Sequence, residues 1–268
     1  MVRFYQILLF FLFIGHASLA SVSPFPIGAR SWALGNALVA EPQAQSFFYN
    51  PAGIGYHTQS FAYASYHSRF AAVGLANMAV GGTLHTKLLT IGIGGEQFGD
   101  KLYHESKLGI AIAKNTGIAS IGLKISYLNI GMESLTSRGG LLTELGIMAR
   151  LHPKLMMGFH ANNLTGVRLF DNEQLPLVLR LGMAFRPAKQ VLIVSEVEKN
   201  TFYPYRVKAG LEYEFYKQWY VRTGVNSDVR TLHGGLGVQQ LVFSIDYGVS
   251  SSQFLGLQHH FTITYNFS

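Results

Sequence analysis

The chain has 268 residues, 49 % of them hydrophobic and only 13 % charged, with a formal net charge of +7 and no cysteine. An ordinary soluble domain carries roughly 25 % charged residues, so the composition argues against one, and the lack of thiols excludes a lipoprotein anchor, disulfides, thiolate metal ligands and thiol nucleophiles. Lys and Arg are scattered, with no run of five or six basic residues, so a nucleic-acid partner is not indicated.

Residues 1–20 read as a secretory signal peptide. Arg3 supplies the positive start, Ile7 to Ile14 the apolar core, and Ser18-Leu19-Ala20 a small-x-small cleavage site. The apolar core is short for the roughly 20 residues that a membrane-spanning helix needs. Residues 21–58 form the second unit. They do not alternate, and they are rich in Gly, Ala and small polar residues, with Pro24, Pro26, Pro42 and Pro51. Trp32, Leu34, Phe47, Phe48 and Tyr49 favour packing over disorder, so this segment is expected to fold as a plug. Within it Asn50-Pro51-Ala52-Gly53 reads as a locked bend: Pro fixes φ, Gly permits a left-handed exit, and the Asn side chain can bond nearby backbone.

From residue 59 to residue 268 the pattern has period two. It is clearest at Arg206–Phe215, where Val207, Ala209, Leu211, Tyr213 and Phe215 share one face and Arg206, Lys208, Gly210, Glu212 and Glu214 the other. Fourteen strands are expected: Gln59–Tyr66, Phe70–Val80, Lys87–Gln97, Tyr103–Lys114, Ile118–Ile130, Gly139–Leu151, Lys154–Asn162, Leu175–Arg186, Gln190–Glu198, Tyr205–Phe215, Gln218–Asn226, Val229–Gln239, Leu241–Ser250 and Gly256–Phe267. Short turns such as Asn115-Thr116-Gly117, His152-Pro153 and Tyr216-Lys217 alternate with longer connections at Gly131–Arg138, Asn163–Gln174 and Lys199–Pro204; His67-Ser68-Arg69 is a tight exception. The fold class is therefore an all-β, antiparallel transmembrane barrel of a bacterial outer membrane, in contact with outer-membrane lipid. Such a barrel has an interior wider than its own side chains can fill, which makes room for the plug.

The inward row carries Lys124, Glu144, Arg150, Arg180, Arg186, Lys208, Glu212, Glu214, Arg222 and Asp246. Both signs are present, so these groups are expected to pair across the lumen. Gly92, Gly94 and Gly95 fall inside the third strand, where glycine marks a bulge or a close approach. They could form a lateral gate in the wall or make room for the plug. No pattern supports catalysis: His67-Ser68 are strand neighbours that point apart, and His160 and Asn162 share a face without a nearby nucleophile. No metal spacing, cofactor loop or catalytic constellation is present, so the chain reads as a non-enzyme without a cofactor.

Three strings in order, Gly28-Ala29-Arg30-Ser31, Leu34-Gly35-Asn36-Ala37 and Phe48-Tyr49-Asn50-Pro51-Ala52-Gly53-Ile54-Gly55, resemble the N-terminal signature of the PorV/PorQ family. Asn163-Leu164-Thr165-Gly166, Glu173-Gln174-Leu175-Pro176, Gly210-Leu211-Glu212-Tyr213 and Ile245-Asp246-Tyr247 extend the likeness over most of the mature chain. Tyr49 and Ile54 stand where that family has Trp and Leu. The Asn-Pro-Ala element also resembles that of the FadL fatty-acid transporters, fourteen-stranded barrels with an N-terminal hatch. The first resemblance implies a component of type IX protein secretion or surface assembly, with secretion-translocon or other outer-membrane proteins as partners. The second implies a transporter of small hydrophobic ligands. A charge-rich inner row favours the first.

Overall fold

The computed structural model describes residues 26–68, 76–133, 135–169, 174–227, 231–252 and 256–267. The expected signal peptide lies outside them. The wall is a closed antiparallel barrel of fourteen strands, each hydrogen-bonded to its sequence neighbours, with the first closing on the last. In chain order the strands are β1 Ser60–Ser68, β2 Ala76–His85, β3 Thr90–Gly99, β4 Tyr103–Asn115, β5 Ala119–Met132, β6 Leu135–His152, β7 Leu155–Asn162, β8 Val178–Ala188, β9 Val191–Asn200, β10 Arg206–Tyr216, β11 Trp219–Asn226, β12 Thr231–Gln239, β13 Phe243–Ser252 and β14 Gly256–Phe267.

Burial is inverted relative to a soluble protein. On β10 the buried residues are Lys208, Gly210 and Glu212, while Leu211, Tyr213 and Phe215 are exposed. The same inversion puts Ile110, Leu123, Ile125, Leu181, Met183, Leu236, Ile245 and Ile263 on the outside. Exposed aromatic residues flank this aliphatic band: Phe215, Tyr216, Trp219, Tyr265 and Phe267 toward the end of the short turns, and Tyr66, Tyr127, Phe202, Tyr205 and Phe261 toward the opposite end. An apolar band between aromatic girdles is the outer surface of a barrel solvated by lipid. No helix among the described residues is long and apolar enough to cross a membrane.

Two of the expected connections are instead strand. His67 and Ser68 continue β1, opposite His260 and His259 of β14, because the His67 ring packs inward against Trp32; Arg69 lies outside the described residues. Gly131–Arg138 is largely absorbed into a long β5–β6 hairpin, with a register shift between Ile130 and Met132. The second strand ends at His85 rather than Val80, and Thr86 and Leu89 close a tight turn after it. The β7–β8 connection remains long and is organised by Asn163, in left-handed conformation at φ 63°, whose Oδ1 accepts from the Val167 backbone N–H at 3.1 Å.

Candidate functional site: the lumenal segment and its wall

Residues 26–56 lie inside the barrel and follow its inner face around. Helix α1, Ala29–Ala33, packs on β11–β14. The chain then crosses β10 and β11 at Leu34 and Gly35, passes β7 and β8 at Val39, and reaches β3 with helix α2, Ser46–Tyr49. A 3-10 helix, Pro51–Tyr56, returns it over β4–β6 to the start of β1. Asn50 caps that helix: its Oδ1 accepts from the Ala52 N–H at 3.1 Å, and its Nδ2 donates to Val39 O at 2.7 Å and to the wall carbonyls of Phe159 at 3.2 Å and Ile147 at 3.3 Å. Pro51 opens the helix, where a missing N–H costs nothing. Ala52 and Gly53, within it, are buried. Burial pushes the Tyr49 phenol well above its usual pKa, against the pull of Arg30, and pushes the His57 imidazole down.

The segment touches the wall through a belt of glycines. A Cβ at Gly158 would stand 2.1 Å from Val39 O, and one at Gly224 would stand 2.2 Å from Gly35 N. At Gly210 it would meet Leu34 O at 2.6 Å, at Gly235 Ala33 Cβ at 2.5 Å, and at Gly248 Ala29 O at 2.7 Å. Gly122 and Gly146 meet Pro51, Ala52 and Asn50 in the same way. The plug backbone therefore lies directly on the wall backbone, which only glycine allows. Gly92 and Gly94 belong to this belt: a Cβ there would stand 3.0 Å and 2.7 Å from the Phe47 ring. Gly95 points outward beside Leu108. β3 pairs with β2 and with β4 without a register shift. Of the three glycines expected as a lateral gate or as room for the lumenal segment, Gly92 and Gly94 face the Phe47 ring.

Eight of the ten charges expected to face inward fall into three groups, and the structure adds partners to each. Lys124 pairs with Glu144 at 2.9 Å, Glu144 bonds His160 at 3.0 Å, and Lys124 Nζ sits 4.5 Å above the Phe47 ring. Arg180 and Lys208 converge on Glu198 at 2.7 and 2.8 Å, and Lys208 also reaches Glu196 at 2.8 Å. Glu196 accepts from the Val39 N–H at 3.0 Å, which ties this group to the plug. Arg222 bridges Glu212 at 2.5 Å and Asp246 at 2.7 Å. Arg30 of α1 joins Glu212 at 2.8 Å and Glu41 at 3.1 Å, and Arg186 holds Glu41 from the other side at 2.5 Å. Two residues lie apart: Arg150 stacks on Tyr56 at 5.6 Å, and Glu214 accepts from the Gln218 N–H in the β10–β11 turn at 2.9 Å.

Arg30, Glu41, Glu196, Glu198 and the Lys107–Glu96 pair are absent from the sequence-derived set. Period two could have found Glu196 and Glu198, which flank the outward Val197 on β9. Arg30 and Glu41 pair with each other across 11 residues, but their wall partners Glu212 and Arg186 lie 182 and 145 residues away, beyond any local pattern.

Between plug and wall the packing is apolar. Leu34, Leu38, Val39 and Ala52 meet Met148, Met156, Ala184, Leu192 and Val194 in one buried cluster. Phe47, Phe48, Tyr49 and Ile54 meet Tyr63, Ala79, Ala111 and Ala113 in a second. A third, Leu128, Ile130 and Leu142, lies under Val167, Leu169 and Leu175 of the β7–β8 connection. No group of three or more His, Asp or Glu side chains among the described residues is placed to hold a metal ion.

A closed fourteen-strand antiparallel barrel with a lipid-type surface and an N-terminal segment in its lumen has the fold of the FadL-like outer-membrane barrels. Among solved structures the chain is similar to the Pseudomonas putida toluene transporter TodX, with a TM-score of 0.69 at 11 % identity over 92 % of this chain and 98 % of that one. The Ralstonia pickettii toluene transporter TbuX gives 0.66 at 13 % identity over 89 % and 97 %. A Pseudomonas aeruginosa FadL homologue gives 0.62 at 10 % identity over 91 % and 98 %. No family model matches the chain, and no curated protein matches it by sequence. The PorV/PorQ resemblance therefore rests on its sequence strings alone.

Proposed function

We propose that the protein is a FadL-like transporter that passes small hydrophobic molecules across the bacterial outer membrane, with residues 21–58 as its plug. This reverses the preference drawn from the inner charge row. Those charges neutralise one another in compact groups, and what lies between plug and wall is the continuous apolar cluster around Leu34, Val39, Met148, Leu192 and Val194. That cluster carries the reading, because a hydrophobic ligand needs an apolar interface that it can enter. The structural neighbours that are named toluene transporters support it. The secretion-component reading has no comparable support among them.

The test is a gene deletion scored on two readouts, uptake of a small hydrophobic compound from dilute solution and the profile of secreted proteins. Lost uptake with unchanged secretion is expected. Altered secretion with normal uptake would overturn the reading.

A further inference from the structure

The lumen is not uniformly apolar. Away from the short-turn end, Trp32 of α1 is surrounded by three imidazoles of the wall: His260 at 4.1 Å between ring centroids, His67 at 4.9 Å and His233 at 5.8 Å. His67 stands opposite Asn77 on β2 and His260 on β14, and His233 stands opposite Ser250 on β13. All of these are over nine-tenths buried. Both amide atoms of Asn77, both ring nitrogens of His233 and the Ser250 hydroxyl have no hydrogen-bond partner among the described residues. A buried polar group left unmet is destabilising, and His233 and Ser250, side by side on β12 and β13, call for an occupant that meets them. Among the described residues no Asp, Glu, Lys or Arg belongs to the patch, and Arg30 on the same helix is turned away to Glu212 and Glu41. A charged guest would lack a counter-ion there.

We propose that the Trp32 patch is a binding site for a small uncharged aromatic molecule bearing a hydrogen-bonding substituent, a phenol rather than a hydrocarbon. The proposal rests on the transporter reading for its role and deepens it by naming a substrate class. The aromatic ring enters beside His233, where the spacing to Trp32 is widest, and stacks within the range that aromatic pairs favour. The hydroxyl donates to or accepts from His233 or Ser250, which stand opposite each other on β12 and β13. A site built to hydrogen-bond a hydroxyl discriminates strongly against the analogue that lacks it, because its own polar groups are then left unpaired.

The chain has two tryptophans, Trp32 and the outward Trp219, so Trp219→Phe leaves Trp32 as the sole indole reporter. The purified full-length protein in lipid vesicles is titrated with 4-iodophenol and with 4-iodotoluene, heavy-atom quenchers of similar shape that are both neutral at neutral pH. Saturable quenching by the phenol is expected, with an apparent Kd roughly tenfold or more below that of the toluene. His233→Phe keeps the ring and removes both nitrogens, and it should bring the two ligands within a few-fold of each other; Ser250→Ala should narrow the gap in the same direction. Equal affinities, unsaturable quenching by both, or a preference that survives both substitutions would overturn the site. A parallel flux measurement in the same vesicles separates the two ideas. Selective quenching without flux removes the transporter reading and leaves the site, whereas flux without selectivity does the reverse.

Discussion

The glycine belt makes a sharp prediction about how the plug is held. Gly158→Ala adds a methyl that would stand 2.1 Å from Val39 O, 2.6 Å from Val39 C and 2.7 Å from Ala40 Cα, all backbone atoms. Relief requires the plug chain to move by about 1.3 Å to ordinary contact distance, since no flexible side chain can yield. Such overpacking costs about 1–3 kcal/mol. The same movement strains the Asn50 and Glu196 bonds to the Val39 peptide groups. Gly224→Ala, against Gly35 N at 2.2 Å, repeats the perturbation four strands away on β11. Gly234→Ala is the control: it lies on β12, turned outward, and its added Cβ meets nothing nearer than 3.9 Å. Planar-bilayer conductance reads the plug, and heat-modifiable gel mobility reads the wall. The first two variants should raise the frequency of open events several-fold while the barrel still folds, and the control should match the parent protein. If all three variants behave alike, the plug is not held by backbone contact with the wall and the account of the glycines is wrong.

Other expectations concern the charges, the bend and the outer face. Lys124→Met leaves the Glu144 carboxylate buried without its ammonium partner and should cost about 3–5 kcal/mol in urea unfolding, with much of the loss recovered when Glu144→Gln is added. Asn50→Ala removes the cap and strands the buried Val39 carbonyl, for about 2 kcal/mol of plug stability, measured as earlier protease cleavage within residues 26–56 while the barrel transition is unchanged. Leu181→Arg, on the exposed aliphatic band of β8, should destabilise the barrel in lipid by about 2–4 kcal/mol, whereas the same substitution at an exposed loop position should cost far less.

Period-two alternation by itself determined the architecture: the strand number and the two faces follow from side chains that must choose between lipid and lumen. That choice is worth several kcal/mol per charged residue near the bilayer centre, so it is written plainly into β6, β8, β10 and β13. The errors fell where this pressure is weak. His67 and Gly131 lie toward the end opposite the short turns, where the apolar–polar alternation of the sequence lapses and no longer distinguishes strand from loop. What occupies the lumen was decided only by tertiary structure. A glycine in a strand reads the same whether it kinks the wall or receives another group, and only the tertiary structure puts the Phe47 ring against Gly92 and Gly94. The pairing of Arg30 with Glu212 and of Arg186 with Glu41, like the gathering of three distant histidines and Asn77 around Trp32, depends on barrel closure and on the path of the plug. No local pattern encodes either one, because the groups that meet are separated by most of the chain.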